Sequence, residues 1–283
     1  MTEKQREKWL LQRRSYLGAT DISAICGVNP YASPLSVYRD KKGLSLFTGN
    51  RFTEWGIIME PVVARYFAKT TGKTIVKSKT YRMKGKRYFG ATPDYEVPGE
   101  DALLEIKTAS FFAGKEFQAI NSDEVPAQYL IQCQWQMFVT GKSFVYLAVL
   151  VGGNDFRIYE ITRDDALISL CVAKAEEFWQ TFMLSDCPPA ISAAECDTEI
   201  LRQEYPQDNG EKLYADDKMD TAAYLLIKKR QELSVVEKEK ALYENQIKEF
   251  MKSATFLSCG SCDIEWKTNA RGARVFKVKE NKA

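Results

Sequence analysis

Hydrophobic positions recur along this chain in two rhythms, and the places where one gives way to the other outline its elements. Residues 1–14 read as a short helix. A second helix is expected over 22–26, with Thr20 or Asp21 as its cap and Gly27 at its end. Pro34 suits the first turn of a third over 35–41, stopped by Gly43. A helix around 60–69 would place Val62, Val63, Tyr66 and Phe67 on one side, with Gly72 beyond it. Strand character follows at 74–78, 81–83 and 88–91, and again at 102–108, where Glu105 and Lys107 share a face because strand side chains alternate. Pro126 and Gly141 bracket a helix on which Gln128, Gln132 and Gln136 form one stripe, while Leu130, Ile131, Trp135, Met137 and Phe138 lie mostly opposite. Residues 144–151 and 155–162 read as a hairpin, after which Asp164 or Asp165 caps an amphipathic helix to about residue 184.

At Pro188-Pro189 the pattern changes. The polar stretch 191–217 reads as a linker. Residues 219–251 read as a long helix whose apolar positions alternate three- and four-residue spacings, broken by Lys229 and Lys240. Two short strands, 262–267 and 275–279, close the chain around a basic turn. The expected division is a domain over 1–190, a linker over 191–217, and a helix-plus-hairpin extension over 218–283.

Composition narrows the chemistry. The 283 residues are 45% hydrophobic and 28% charged, enough for a full core. No apolar run is long enough to span a bilayer, and the N-terminus is polar and mixed in charge, so a cytoplasmic location is expected. The seven cysteines are scattered, and Cys133 and Cys171 sit in apolar runs as buried reduced thiols do. Cys259 and Cys262 have no second pair and no histidine to complete a zinc site, so they read as a turn. Histidine is absent altogether. That removes Ser-His-Asp and Cys-His nucleophiles, histidine-ligated zinc and histidine-based nucleases. Hydrolysis on this chain must use carboxylates, lysine and a hard metal ion that accepts oxygen ligands. A net charge of +2 does not announce a nucleic-acid binder, but a local basic stripe suffices for one. Lys41-Lys42, Lys84-Lys86-Arg87 and Lys228-Lys229-Arg230 are ordinary solvated clusters, of which the second, close to Asp94, is best placed to meet DNA backbone.

The informative pattern is Pro93-Asp94, then ten residues, then Glu105-Ile106-Lys107. Two carboxylates at adjacent strand ends can hold Mg²⁺ or Mn²⁺ beside a scissile phosphate, and the Ile106 carbonyl can add a further oxygen. Lys107, while protonated, cannot be the base, so it is assigned to orienting the nucleophile and stabilising charge. Taken singly, an E-x-K strand is commonly a solvated face with an ion pair, and P-D is commonly a turn.

In order along residues 10–190, the segments RRSYLGATDISAICGVNPYASP, GIIMEPVVARYF, ATPDY, LLEIKT and QYLIQCQWQM resemble the YqaJ-like viral recombinase family, relatives of lambda exonuclease within the PD-(D/E)xK nuclease superfamily. The resemblance implies an α/β fold, a restriction-endonuclease-like core with a central mixed sheet flanked by helices, and two metal ions per site. Asp94 and Glu105 would ligate metal directly. Glu60 would serve the second ion, although a glutamate beside Pro61 at a helix start is also an ordinary exposed residue favoured by the helix dipole. Gln132 would orient substrate or a catalytic side chain, with Tyr129 as an auxiliary; both also fit a plain polar helix face. Arg13 or Arg14 would bind a DNA 5′-phosphate, with Thr20 and Thr92 donating hydroxyl hydrogen bonds; Thr20 suits an N-cap equally well.

The function this implies is a 5′→3′ exonuclease on double-stranded DNA ends in phage or prophage recombination. It would leave 3′ tails for a RecT-like single-strand annealing protein, and a trimeric ring is the expected assembly. The competing readings are a RecB-type or restriction-like endonuclease on the same core, and a DNA-binding module that has lost activity.

Overall fold

The structure is a computed structural model that describes residues 11–45, 49–117 and 125–281. The chain divides into two compact units, residues 1–207 and 208–283. The first ten residues of the expected N-terminal helix lie outside the described residues; 11–14 are helical.

The first unit is built on a five-stranded mixed sheet ordered β1-β4-β5-β6-β7. The strands are β1 (Val76–Lys77), β4 (Tyr95–Val97), β5 (Ala102–Ala109), β6 (Phe144–Val151) and β7 (Asp155–Thr162). β5 and β6 run parallel along their full lengths, and the other neighbours are antiparallel. β6 is continuously apolar, and β5 is so apart from Glu105, Lys107 and Thr108, because both sheet faces are covered. On one face Val63, Ala64 and Phe67 pack against Val97, Leu104, Ile106 and Ala148. They belong to α3 (Arg51–Thr71); α1 is Ala19–Ile25 and α2 is Pro34–Lys42. On the other face Cys133 and Met137 of α4 (Ala127–Thr140) meet Leu103, Val145, Leu147 and Val149. A third cluster lies on the far side of α4. There Trp135, Phe89, Leu17, Ile22 and Phe178 join α4, α1 and α5 (Asp165–Phe178) to a two-stranded ribbon of β2 (Tyr81–Arg82) and β3 (Gly90–Ala91).

Several elements depart from the sequence expectation, each for a local reason. α3 begins at Arg51, not near residue 60, because Asn50 accepts from the Phe52 and Thr53 amides and the helix runs on through Pro61. Glu60 therefore sits in mid-helix and not at a start. The N-cap of α1 is Gly18; Asp21 reaches back to accept the Gly18 N–H at 2.7 Å, and Thr20 is an exposed first-turn residue. The stretch read as a linker contains α6 (Glu195–Glu204), and it is docked. Asp197 of α6 accepts a hydrogen bond from Ser33 at the cap of α2, and Arg39 pairs with Glu204. The compact unit accordingly runs past residue 190.

The second unit is α7 (Asp217–Met251) with a three-stranded antiparallel sheet of β8 (Phe256–Ser258), β9 (Cys262–Thr268) and β10 (Arg274–Glu280). Asp216 caps the helix through the Met219 amide. Cys259 and Cys262 form the β8–β9 turn, with the Cys259 N–H on the Cys262 carbonyl at 2.8 Å. Among the described residues no helix is long and apolar enough to cross a membrane.

Candidate active site

The site lies where the sheet opens. β4 pairs with β5 only from Tyr95↔Leu104 to Val97↔Ala102. Beyond Leu104 that edge of β5 has no strand partner, and the Asp94 carboxylate takes over the vacant position by accepting the Ile106 N–H at 2.8 Å. A strand residue's N–H and C=O point to the same edge, so the Ile106 carbonyl lies on Asp94's side as well.

Glu105 and Lys107 project to the α4 face of β5, as their spacing predicts. Glu105 is buried, with 3% of its surface exposed. Its Oε1 accepts from Lys107 Nζ at 2.6 Å and from the Gln132 amide, and its Oε2 accepts from Gln136 Nε2 at 2.7 Å. The glutamine stripe is thus the cradle of a carboxylate. Of its members, the sequence reading singled out Gln132; Gln136 is the one it missed. The Gln136 Oε1 atom is buried without a hydrogen-bond donor among the described residues. Rotating the amide would only set that oxygen against Glu105. Tyr129 flanks the site, with Lys107 Nζ 5.5 Å from its ring centroid and Phe117 stacked on it.

The electrostatics mark an anionic site short of positive charge. Asp94 is pushed up to about 8, first by burial and then by the Glu105 charge, with Glu60 adding to the effect. Burial works against the charge of Lys107, but Glu105 and Asp94 outweigh it and hold its pKa above the usual lysine range. Glu60 approaches from α3 and pairs with Lys77 of β1, which also lies over the Tyr95 ring. Lys77 was not legible from sequence, because its partner is seventeen residues away on another element. Gly56, one turn before Glu60, faces Thr108, where a Cβ would meet Thr108 Oγ1 at 4.0 Å in ordinary contact.

No group of three carboxylates or thiols among the described residues converges into a closed metal cage. The donor set is instead two carboxylates and a carbonyl at an open edge, which suits a Mg²⁺-like ion that keeps several waters. Burial and the neighbouring Glu105 charge raise Asp94, and a cation bound beside it would favour its ionised form again.

The four residues expected to hold a 5′-phosphate are placed unequally. Thr92 is exposed two residues before Asp94, its Oγ1 lying 3.3 Å from the Tyr16 hydroxyl and 3.0 Å from Thr80 Oγ1. Arg13 comes close to the same tyrosine: a Cβ on Gly18 would stand 3.9 Å from Arg13 Nη2 and 3.7 Å from Tyr16 Cε2. Arg14 lies elsewhere, over Gly43 at the end of α2, where a Cβ would be 3.1 Å from its Nη1. The geometry separates the two arginines that sequence left as alternatives. Thr20 lies exposed in the first turn of α1.

A mixed sheet with α3 on one face, α4 on the other and acidic residues at the split edge defines a restriction-endonuclease-like α/β domain. Two crystal structures share the fold. An alkaline exonuclease from Laribacter hongkongensis superposes with a TM-score of 0.52 at 20% identity, covering 70% of this chain and 97% of that one. A protein of Eubacterium rectale gives 0.52 at 12% identity, covering 79% and 98%. The profile of the YqaJ-like viral recombinase domain matches residues 8–143. The YqaJ protein of Bacillus subtilis (strain 168), itself uncharacterized, is 32% identical over 274 residues, 94% of this chain and 84% of its own length. The chain belongs to the YqaJ-like viral recombinase family.

Proposed function

We propose that this chain is a metal-dependent deoxyribonuclease that degrades double-stranded DNA from an end, 5′→3′, at the split edge of β5. The observation that carries the reading is the gathering of Asp94, Glu105 and Lys107 there, with burial and then the Glu105 charge raising Asp94 to about 8. The exonuclease from Laribacter hongkongensis, which shares the fold and has been crystallised with dAMP, supports the same class of substrate.

Asp94, Glu105 and the Ile106 carbonyl would hold one divalent ion, Mg²⁺ or Mn²⁺. Glu60 would hold a second once Lys77 swings away, a small cost for a lysine whose side chain is 58% exposed. Bound there, the metal supplies an activated water and stabilises charge on the phosphate. Gln132 and Gln136 fix the Glu105 carboxylate so that it presents a constant face. Lys107, kept protonated by both acids, orients the attacking water and meets the growing negative charge. Thr92 and Arg13 would hold the 5′-phosphate one nucleotide upstream, and each cut regenerates that group on the new end. The resected 3′ tail would pass to a RecT-like annealing protein, and a ring of three copies would keep a weakly charged protein on its substrate. Residues 1–190 would carry the catalytic positions, with 218–283 as the extension.

The deciding experiment is digestion of linear duplex with labelled 5′ ends, in Mg²⁺ and in excess chelator, beside closed circular DNA. Mononucleotide release from linear DNA that stops in chelator, with the circle intact, is the expected result. Cutting of the circle would establish an endonuclease instead, and digestion in chelator would remove the metal. Light scattering in physiological salt tests the ring, which a monomer at micromolar concentration would rule out.

A further inference from the structure

From Lys77 at the end of β1 to Asp94 the chain carries Lys77, Lys79, Arg82, Lys84, Lys86 and Arg87, with no acidic residue among them. Lys77 and Lys86 are neutralised by Glu60 and Glu176. Arg82 is held differently. No carboxylate pairs with it among the described residues, yet its guanidinium has one defined orientation. Its Nη2 donates to the Ser15 carbonyl at 3.2 Å and to the Ser15 hydroxyl at 3.1 Å, and its guanidinium carbon lies 4.2 Å from the centroid of the Tyr16 ring.

Tyr16 in turn is fixed from two sides. Its ring packs directly on Gly90, where a Cβ would come within 2.5 Å of Tyr16 Cδ2, and its hydroxyl meets Thr92 Oγ1 at 3.3 Å. Gly90 is held by the Trp135 indole N–H on its carbonyl at 3.0 Å and lies opposite Arg82 in the β2–β3 register. Arg82, Tyr16 and Thr92 are therefore linked by direct contacts, with Arg13 close to Tyr16.

Fastening Ser15 accounts for one nitrogen of Arg82. An arginine has five N–H donors, and those on Nη1 and Nε have no protein acceptor among the described residues. A planar fork stacked on an aromatic ring with one edge open is the geometry that binds phosphate bidentately. The spacing to the catalytic edge fits as well. Pro93 restricts Thr92 to an extended conformation. Thr92 and Asp94 stand two residues apart, a span of at most about 7 Å along the chain. That is comparable to the separation of neighbouring phosphates on one DNA strand. Finally, a terminal phosphate carries about −1.5 to −2 charges near neutrality, more than an internal diester, so a second guanidinium beside Arg13 favours an end over the duplex interior.

We propose that Arg82, stacked on Tyr16, contacts the 5′-terminal phosphate of the strand being degraded, and so sets the preference for phosphorylated ends; this rests on the nuclease reading above. The test is binding of the full-length protein, in chelator, to short duplexes bearing a 5′-phosphate or a 5′-hydroxyl, followed by fluorescence anisotropy. Wild type binds the phosphorylated duplex more tightly. Arg82→Ala weakens that binding roughly tenfold to a hundredfold while the hydroxyl duplex changes far less. Arg82→Lys keeps the charge but loses the fork, and also loses most of the preference. Arg87→Ala removes a charge from the same turn and weakens both duplexes alike. Thermal melting confirms that each variant is folded. A folded Arg82→Ala that keeps the wild-type preference overturns the assignment, as does an equal loss on both duplexes. A wild-type protein blind to the phosphate removes end recognition as a whole. Cleavage of the same duplexes in Mg²⁺ reports separately on whether the chain is a nuclease.

Discussion

Asp197 on α6 is fully buried, and its oxygens are saturated: Oδ1 accepts from Ser33 Oγ and Cys196 Sγ, Oδ2 from the Ser192 amide at 2.7 Å and the Ser192 hydroxyl at 2.6 Å. Asp94 receives a single backbone N–H, at 2.8 Å, and faces the charges of Glu105 and Glu60. Asp197 has left bulk water in exchange for four protein donors, whereas Asp94 is half-buried with one. A carboxylate that serves as a latch is supplied with donors. Asp94 keeps lone pairs open and waits in an unfavourable field, so its pKa rises, whereas its neighbour Glu105 is cradled by Lys107, Gln132 and Gln136.

The strongest way to break this contrast is to delete each acid. Asp94→Ala and Lys107→Ala are expected to lower the single-turnover cleavage rate by about a thousandfold or more, because each removes transition-state stabilisation and no scaffold. Duplex binding in chelator should survive. Asp197→Ala is expected to leave the rate per folded molecule unchanged and to cost about 2–4 kcal/mol of stability, by stranding Ser33 and the Ser192 amide. Denaturant titration beside single-turnover kinetics reads both. A folded Asp197→Ala protein without activity would abolish the distinction between latch and catalyst.

The next effect concerns pH. The native pKa of Asp94 is raised to about 8, well above the unfolded value near 3.8. The native state therefore holds a proton that the unfolded state has lost, and metal-free stability falls as pH rises from about 4 to about 8. Asp94→Asn, which cannot ionise, should be the more stable protein in chelator at pH 8, on the order of 1–3 kcal/mol, with the gain fading toward pH 4. Mg²⁺ should reverse the order at pH 8, because it binds the ionised wild type. Melting curves of both proteins at pH 5 and 8 check this; a wild type at least as stable as Asp94→Asn in chelator at pH 8 would mean that the site is not electrostatically strained.

The same contrast explains what could be read from sequence. The catalytic acids stand out because E-I-K places two side chains on one strand face and P-D precedes it at a short interval. β5, β6, β7, α4 and α7 were legible because an apolar run, alternation or helical spacing extends over most of each between proline, glycine or aspartate punctuation. α6 was not, since the only buried residue of its ten is Asp197, a residue that patterning counts as exposed. The first half of α3 was hidden by Pro61, which reads as a helix start, and by exposed Phe52, Trp55, Ile57 and Ile58, which give no one-sided stripe. β4 has three residues, too few for any period. Gln136, Lys77, Tyr16 and Arg82 take their roles from partners on other elements, and no spacing along the chain announces that.

The smallest expected effect comes from removing the second unit. The acids and lysine of the candidate site all lie before residue 108, and the docked helix α6 ends at Glu204. A chain ending at residue 207 keeps Asp197 on Ser33 and Ser192, and Glu204 on Arg39. It should cleave a short phosphorylated duplex within about twofold of the full-length rate, since no transition-state contact is removed. A chain ending at residue 190 has the same candidate site but strands Ser33 and Arg39. It should lose stability by at least as much as Asp197→Ala while keeping its rate per folded molecule. Comparing the two truncations by melting and by single-turnover cleavage separates the latch from the chemistry without altering an acid. If the 207 truncation stays folded but loses cleavage, the α7 unit contributes to the active site, and the division drawn between the two carboxylates' roles would have to include it.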